Sequence, residues 1–584
     1  MMPIDKNRVA HVLDEIGTLL EIKGENVFKC RAYHNASRTI AGLDSDIKEL
    51  ISSGEINSVK GIGEALSEKI TELVTTGRLP YYEELKASIP PGVLEMMKIP
   101  GVGPKKVKQL HEQMKIRSVD ELEKACREGR LGDVEGFGKK TQENILTGIE
   151  QLRKNSSKFL YSIAEAAAQK ILARILEQKG VLEAEIGGSI RRRREVIGDI
   201  DILVKAELKD AEVILKAFTT HETVERIIGV GETKASVVLD AGINCDLRVV
   251  DPGEYPFALI YFTGNKEHNV RMRTMARKQN LTLNEYGFSV IGSEDTRGKA
   301  KQVVHAKSEK DIYRHFGLDY IPPELREDLG EFEAAAARKL PVLIEERDIR
   351  GTFHCHTNYS DGANTVTEMA EAARALGWEY LGLADHSKVA AYANGLDETR
   401  VRKQQKEIDA VNQNLKNFRI LKGIEVDILA NGDLDFSDAV LSLFDFVVAS
   451  VHSGFKMSEA DMTKRILKAV RNKYVTMIGH LTGRLLLTRE PYAVNQQEII
   501  KAAAASGTII EINAHPTRLD LDWRLCRYAK EQGVLFSINP DAHVTTGLRD
   551  VRYGVGIARK GWLEKTDVLN TSTLREVEQY LKLK

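Results

Sequence analysis

Gly187-Gly188-Ser189-Ile190-Arg191-Arg192-Arg193-Arg194-Glu195-Val196-Ile197-Gly198-Asp199-Ile200-Asp201-Ile202-Leu203-Val204 is the stretch around which the chain is organised. Its second half alternates acidic and apolar residues, so a strand there sends Asp199 and Asp201 to one face and Ile200 and Ile202 to the other. Two carboxylates at that spacing can share a divalent cation. In the first half, Gly187 and Gly188 leave room for backbone N–H groups to approach an anion, and four arginines suit phosphate oxygens. Taken separately, an Asp-x-Asp is most often a solvated strand face and a Gly-Gly-Ser an ordinary turn. Together they can hold a triphosphate and its metal in one short segment.

Downstream, Ile243-Asn244-Cys245-Asp246-Leu247-Arg248-Val249-Val250 forms a second β-rich run, with Asp246 facing away from Cys245 and Leu247. If this strand neighbours the first, Asp246 completes a three-carboxylate cluster able to bridge two Mg²⁺ ions for in-line phosphoryl transfer. Upstream, one pattern recurs three times: Val59-Lys60-Gly61-Ile62-Gly63, Ile99-Pro100-Gly101-Val102-Gly103 and Val134-Glu135-Gly136-Phe137-Gly138. One Gly-x-Gly is usually a plain turn. Three with the same flanks read as helix-hairpin-helix elements, in which the glycines turn the backbone and the next helix aims free N–H groups at a phosphate. Lys105, Lys106, Lys108, Lys139 and Lys140 follow the second and third copies. Such contacts ignore base identity, so sequence-independent DNA binding is expected. The segment 5–23 has helical apolar spacing and is structural. Lys69, eight residues after Gly61, is by position alone a solvated helix residue, although burial or nearby cations could make it a Schiff-base nucleophile.

At 584 residues the chain has room for three or four domains, and its net charge of −1 means that DNA binding must rest on local patches. No run approaches the roughly 18 apolar residues of a membrane span, and Met1-Met2-Pro3-Ile4-Asp5-Lys6 lacks an apolar signal core, so a cytoplasmic protein is expected. Five scattered cysteines, without a Cys-x-x-Cys pair, argue against zinc ribbons and disulfides.

A proline-punctuated break at Leu318–Leu325 leads into a charged segment that reads as a linker with one helix. Beyond it, apolar runs ending in polar motifs alternate with helical stretches, the pattern of parallel βα units. The motifs are Phe353-His354-Cys355-His356 with Ser360-Asp361-Gly362, Ala384-Asp385-His386, Gly423-Ile424-Glu425-Val426-Asp427, Ser450-Val451-His452, Ile478-Gly479-His480, Glu511-Ile512-Asn513-Ala514-His515 and Asn539-Pro540-Asp541-Ala542-His543. In a barrel they would converge on the C-terminal face of the strands. A lone histidine is more often packed than ligating, but seven of the chain's 14 fall in these motifs. Mixed His and carboxylate donors suit Mn²⁺, Zn²⁺ or Fe²⁺, and a multinuclear site of this kind hydrolyses phosphoesters.

The Gly-Ser about ten residues before Asp-x-Asp resembles the nucleotidyltransferase signature. With the hairpins, Asp246-Leu247-Arg248, Tyr261-Phe262-Thr263-Gly264 and Leu283-Asn284-Glu285-Tyr286, residues 5–320 resemble a family X DNA polymerase. That resemblance implies that Asp199, Asp201 and Asp246 are catalytic metal ligands for Mg²⁺ or Mn²⁺. It makes Gly188, Ser189 and Arg192 triphosphate contacts, and Tyr261, with Phe262 and Gly264, a sugar discriminator. Asn269 would touch the incoming base, Arg273 the template, and Gly61, Gly63, Gly101, Gly103, Lys105, Gly136, Gly138 and Tyr33 the DNA. Lys69 matches the lyase nucleophile of repair members, but Ala65 and His34 stand where lyase-competent relatives carry a lysine and an arginine.

Residues 348–575 are similar to the PHP (polymerase and histidinol phosphatase) family, which implies up to three Mn²⁺, Zn²⁺ or Fe²⁺ ions held by His354, His356, Asp361, His386, Glu425, His452, His480, Asp541 and His543. The expected architecture is multidomain α/β and α+β. It comprises a lyase-like helical domain (1–85), a second helix-hairpin-helix domain (86–150), a nucleotidyltransferase palm with a mixed sheet (151–255), a thumb-type subdomain (256–320), a linker (321–347) and a distorted (βα)₇ PHP barrel (348–584). The expected protein is a nucleoid-associated monomer that fills gaps in gapped or nicked DNA with dNTPs, without a membrane. A Mn²⁺-dependent 3′–5′ exonuclease is expected beside this, with 3′-phosphatase, abasic-site endonuclease and 5′-deoxyribose phosphate lyase activities in view. Two readings compete: a DNA-tethered phosphoesterase with a degenerate polymerase, and a metabolic phosphatase.

Overall fold

In the computed structural model, which describes residues 6–583 apart from 42, 44–46, 60, 100, 133 and 295–299, the three glycine repeats share one backbone geometry. Lys60 and Pro100 lie outside the described residues. Gly61, Gly101 and Gly136 have φ of 89°, 80° and 86°, the left-handed region that costs an L side chain about 1–2 kcal/mol. In each repeat the apolar residue between the glycines is buried (Ile62, Val102, Phe137), and its N–H bonds back to Val59, Ile99 or Val134. The second glycine then caps the helix Glu64–Thr76, Pro104–Met114 or Lys139–Asn155 without a side-chain bond. Nothing lies within 4 Å of where a Cβ would stand at Gly63, Gly103 or Gly138, so each helix begins on open space.

These helices belong to the first of two compact units, built on Met1–Ser156. Its core includes Val9, Val12, Leu13, Ile16, Leu19 and Leu20, the apolar stripe of the helix Lys6–Lys23.

The second unit begins with a five-stranded mixed sheet in the order Val181–Ile186, Asp199–Ala206, Asn244–Val250, Lys234–Leu239, Val224–Val230. The Asp199 and Asp246 strands are parallel neighbours, while the remaining pairs are antiparallel. Their alternation is that of a sheet with one face in the core: Ile200, Ile202, Cys245 and Leu247 are buried. The helices Tyr255–Thr263 and Lys266–Lys278 follow, with a small antiparallel sheet of Leu281–Asn284, Gly287–Glu294 and Ala300–Val304.

Residues 321–347, read from composition as a linker, hold one α-helix (Glu331–Ala336) and pack tightly. Ile321, Leu325, Phe332 and Ala335 join the core of the preceding subdomain, and Arg326 is fully buried against Glu309, Oε1 at 2.6 Å. Of the charges that suggested a solvated spacer, Glu324, Arg326, Glu327 and Glu331 are buried against partners.

From Gly351 onward seven parallel strands succeed one another in chain order: Gly351–Cys355, Tyr380–Leu383, Arg419–Asp427, Phe446–Ser450, Met477–Ile478, Ile509–Asn513 and Phe536–Asn539. Most are buried throughout, as strands covered on both faces must be. A parallel bridge between Cys355 and Ala542 links the first strand to the residues just after the last, so the barrel is nearly closed.

Candidate active sites

On the mixed sheet, Asp201 lies directly beside Asp246 in register, and Asp199 stands two residues before Asp201 on the same face. Gly187 N–H donates to the Asp201 carbonyl at 2.8 Å, folding the Gly-Gly-Ser turn back over the strand. A Cβ on Gly188 would stand 2.6 Å from Asp201 Oδ2, so the missing side chain keeps this carboxylate reachable. Half-buried Ser189 sits next in the short helix Gly188–Arg191. Burial, then the like charges of Asp199 and Asp246, push the Asp201 carboxyl up to about 6. Asp246 is turned toward a cation on the next strand, with Lys234 Nζ 2.5 Å from Oδ2.

The four arginines expected to face phosphate are all engaged by carboxylates. Arg191 forms a bidentate pair with Glu309 at 2.8 and 2.9 Å. Arg192 donates to Thr263 O at 2.7 Å and to Glu327 at 3.1 Å. Arg193 meets Glu165 at 3.0 Å and Arg194 meets Glu327 at 3.5 Å. The reason is burial: an arginine taken partly out of water needs a counter-charge, and Glu165, Glu309 and Glu327 supply it. Nothing in the run Arg191–Arg194 itself reveals those partners, which come from up to 135 residues away.

Tyr261, Asn269, Arg273 and Asn284 line one small cleft. Asn269 Nδ2 donates to Tyr261 O at 2.7 Å and Gly264 O at 3.2 Å, clamping the Tyr-Phe-Thr-Gly turn. A Cβ on Gly264 would collide with Asn269 Oδ1 at 2.6 Å. The Phe262 ring lies edge-on to Tyr261 and beneath Arg248.

In the first unit, Lys69 Nζ donates to Ala65 O at 3.3 Å and stands 5.2 Å from the Tyr81 ring, which stacks on Tyr33. Burial, followed by Tyr81, raises the Tyr33 hydroxyl above its ordinary range. His34 faces Asp14 at 2.7 Å and Glu21 at 3.8 Å, surroundings that repel a phosphate. Lys105 is exposed beside the second hairpin, while Lys106 bonds back to Gly101 O at 2.9 Å.

Among the described residues, every group of three or more donors within 4.8 Å of one another lies in the barrel, at the strand C-terminal ends. These are His354, Glu425 and His480; His354, His356 and Asp541; His386, Glu425 and His452; and His356, Asp361, His386 and His543. All nine sequence-nominated positions fall in these groups. Glu425 sits among His354 Nε2, His386 Nδ1, His452 Nε2 and His480 Nε2 at 3.2, 2.8, 3.3 and 3.1 Å. Its buried Oε2 makes no hydrogen bond, while Oε1 is bonded to His480 Nε2 at 3.1 Å. That geometry and the His-carboxylate chemistry fit several divalent cations. Burial works against a charged Glu425, but His354, His386 and His452 outweigh it and hold its carboxyl well below the usual range.

His354, His480 and Asp541 have φ of 52°, 23° and 52°, where residues other than glycine are strained by about 1–3 kcal/mol each. Three such residues in one site mark a backbone held by its surroundings for a purpose beyond stability. Sequence reasoning quoted Glu511, Asp427 and Asp385 but gave them no role. Glu511 Oε2 receives His354 Nδ1 at 2.6 Å, and Asp427 Oδ1 lies 3.3 Å from His452 Nδ1. Asp385 accepts from Thr357 and Ser360, bracing the loop that carries Asp361. Carboxylates behind imidazoles orient the rings, and the acid beside His386 and the one two residues past Glu425 were the available signal. His515, by contrast, serves a turn through Thr517.

Family models match residues 4–79 (helix-hairpin-helix domain), 93–153 (SAM-like helix-hairpin-helix tandem), 258–327 (DNA polymerase beta thumb) and 352–515 (PHP domain). The chain is 36% identical over 579 residues to the "DNA polymerase/3'-5' exonuclease PolX" of Bacillus subtilis (strain 168), covering 99% of both chains. It is 28% identical over 245 residues to a "Probable phosphatase" of Thermoanaerobacter sp. (strain X514), covering 40% of this chain and 94% of that one. To DNA polymerase lambda of Rattus norvegicus it is 26% identical over 349 residues, 54% of this chain and 56% of that one. With helix-hairpin-helix, polymerase thumb and PHP regions in this order and a similarity that runs end to end, the chain belongs to the family X DNA polymerases that carry a C-terminal PHP domain.

Proposed function

We propose that the chain fills short gaps in DNA from its Asp199–Asp201–Asp246 face and trims 3′ ends in its barrel, acting in repair on gapped or nicked DNA with dNTPs. The observation that carries this reading is the pairing, in one chain, of a carboxylate trio in register beside a Gly-Ser turn with four His-carboxylate groups at the barrel mouth. Mg²⁺ or Mn²⁺ on the trio would supply charge for an attacking 3′-hydroxyl and a departing pyrophosphate. Asp199, Asp201 and Asp246, on neighbouring strands, would hold such ions. Gly188 and Ser189 offer backbone and hydroxyl groups to the triphosphate. Arg192 reaches it by exchanging Glu327 for phosphate, and Tyr261, Phe262, Gly264, Asn269 and Arg273 shape the nascent pair.

In the barrel, up to three Mn²⁺, Zn²⁺ or Fe²⁺ ions held by the nine residues would supply hydroxide and polarise a phosphodiester. The hairpins grip DNA through Gly61, Gly63, Gly101, Gly103, Lys105, Gly136 and Gly138, with the residues 1–85, 86–150, 151–255, 256–320 and 348–584 as functional regions. Lys69, in its stack with Tyr81 and Tyr33, is the candidate 5′-deoxyribose phosphate lyase nucleophile. The phosphatase relative favours a 3′-phosphatase as a second use of the barrel. Primer extension on one-nucleotide-gapped DNA tests the polymerase: Asp199→Ala with Asp201→Ala should abolish incorporation and leave Mn²⁺-dependent 3′–5′ trimming. His354→Ala with His356→Ala should do the reverse. A double variant that retains its own activity would refute that site. Borohydride trapping through Lys69, lost in Lys69→Ala, tests the lyase.

A further inference from the structure

On the flank of the barrel a cleft of about 550 Å³ opens beside the segment that precedes the first strand, the end of the helix Val366–Ala375 and the start of the helix Val551–Lys560. None of the residues that line it belongs to the His-carboxylate groups or to the aspartate trio. Its apolar wall includes Leu548 and Val551, which are buried, and half-buried Trp378, which packs against the barrel core. Arg347, Arg549 and Arg552 line it as well, all exposed, with Glu346 as the one acid among the lining residues.

Arg347 pairs with Glu345 at 2.6 Å. Among the described residues, neither Arg549 nor Arg552 has a carboxylate within 4 Å, and Arg552 donates to the Tyr553 hydroxyl at 2.6 Å instead. Elsewhere on this barrel Arg350, Arg419, Arg484 and Arg559 each meet a carboxylate within 3.0 Å. Burial pushes the Asp550 carboxyl up to about 7 against the pull of Arg552, so near neutrality it gives these arginines only part of a charge. One exposed arginine is ordinary surface. Two without carboxylates, beside an indole in a concave site of small-molecule size, combine a platform for a base with planar forks for phosphate.

We propose that this cleft is a nucleotide site separate from both metal-type centres, which takes a free nucleoside di- or triphosphate with its base on Trp378 and its phosphates on Arg549 and Arg552. A bare inorganic anion would leave the indole and the apolar wall unused. A DNA strand brings one charge per phosphodiester, whereas the terminal phosphates of a free nucleotide concentrate charge, which suits two arginines three positions apart at one helix start.

The test is calorimetric titration of the full-length chain carrying Asp199→Ala and Asp201→Ala, in EDTA, so that neither metal-type centre holds the probe through a cation. ATP should bind once per chain. Adding Arg549→Met with Arg552→Met should weaken it roughly 30-fold, and weaken inorganic triphosphate as much. Trp378→Ala should weaken ATP roughly 10-fold and leave inorganic triphosphate unchanged. ATP should also quench tryptophan fluorescence, and the quench should vanish in Trp378→Phe while affinity stays within about threefold, since Trp523 and Trp562 lie outside the cleft. Because Trp378 also backs the core, the exposed arginine pair and Trp378→Phe keep the test independent of folding. Absence of saturable ATP binding, or binding that the arginine pair does not alter, would overturn the site. Equal losses for ATP and inorganic triphosphate in Trp378→Ala would overturn the base platform and leave an anion site only. A 5′-phosphorylated tetrathymidylate that binds more tightly than ATP would assign the cleft to a DNA strand and overturn the free nucleotide.

Discussion

Asp201 shows at the scale of one residue what a metal-type carboxylate costs a fold. Its carboxyl is pushed up to about 6 by burial and by Asp199 and Asp246, against an ordinary value near 4. A raised acid binds its proton more tightly in the folded state, so stability should rise as pH falls from about 6 to about 4, and the penalty is complete above 6. In the metal-free protein at pH 7.5, Asp201→Asn should therefore stabilise by roughly 1–3 kcal/mol while abolishing polymerisation. Thermal melts with EDTA at pH 7.5 and pH 5 check both the sign and the window: the gain should shrink at the lower pH.

At the scale of elements, the hairpins separate two uses of glycine that look alike in sequence. Gly101, at φ 80°, is required by the backbone, so Gly101→Ala should cost about 1–2 kcal/mol. Gly103, with φ −85° and open space above it, should accept Ala with little loss of stability but with weaker, less salt-sensitive DNA binding. Denaturation and titration of gapped duplex at two salt concentrations distinguish the cases. The barrel mouth poses the opposite problem, because it gathers donors, with His354, His480 and Asp541 on strained backbone, that a cation would hold together. Mn²⁺ at about 1,000 times its Kd should add about 4 kcal/mol of stability, and His354→Ala with His356→Ala should remove most of that gain in calorimetry.

Across the second unit, a buried charge cluster joins the polymerase-like part to the barrel. Lys560, on the barrel helix Val551–Lys560, meets Glu327 at 2.5 Å, and Glu327 also holds Arg192 and Arg194. Trp523 Nε1 donates to Glu195 at 3.1 Å, and Lys560 and Arg194 both lie over its ring. Burial lowers the Lys560 ammonium to about 8 despite Glu327, so its desolvation outweighs the attraction. Lys560→Met should thus change stability by no more than about 1 kcal/mol, because Glu327 keeps two arginines. Glu327→Gln strands three cations and should cost roughly 3–5 kcal/mol, while freeing Arg192 should lower KM for dNTP. Urea melts and gap-filling kinetics on the two variants decide this; the reverse order would show that Lys560 is the anchor.

Local chemistry made much of this protein legible in one dimension. The alternation of Asp199 to Ile202, the repeated Gly-x-Gly and the His-x-His each constrain backbone and neighbours within a few residues, and such short-range rules survive folding. The barrel motifs could be placed at the mouth for the same reason, because a strand end fixes which side chains reach it, while the choice of nine residues among them came from the resemblance to the PHP family. Only the tertiary structure decided that Arg191–Arg194 are neutralised by distant carboxylates, that Arg326 and Phe332 within 321–347 are buried, and that Glu511 and Asp427 stand behind the histidines. Those facts turn on which charges meet after water is expelled. Pairing of that kind depends on proximity in space, and composition and spacing along the chain carry no record of it.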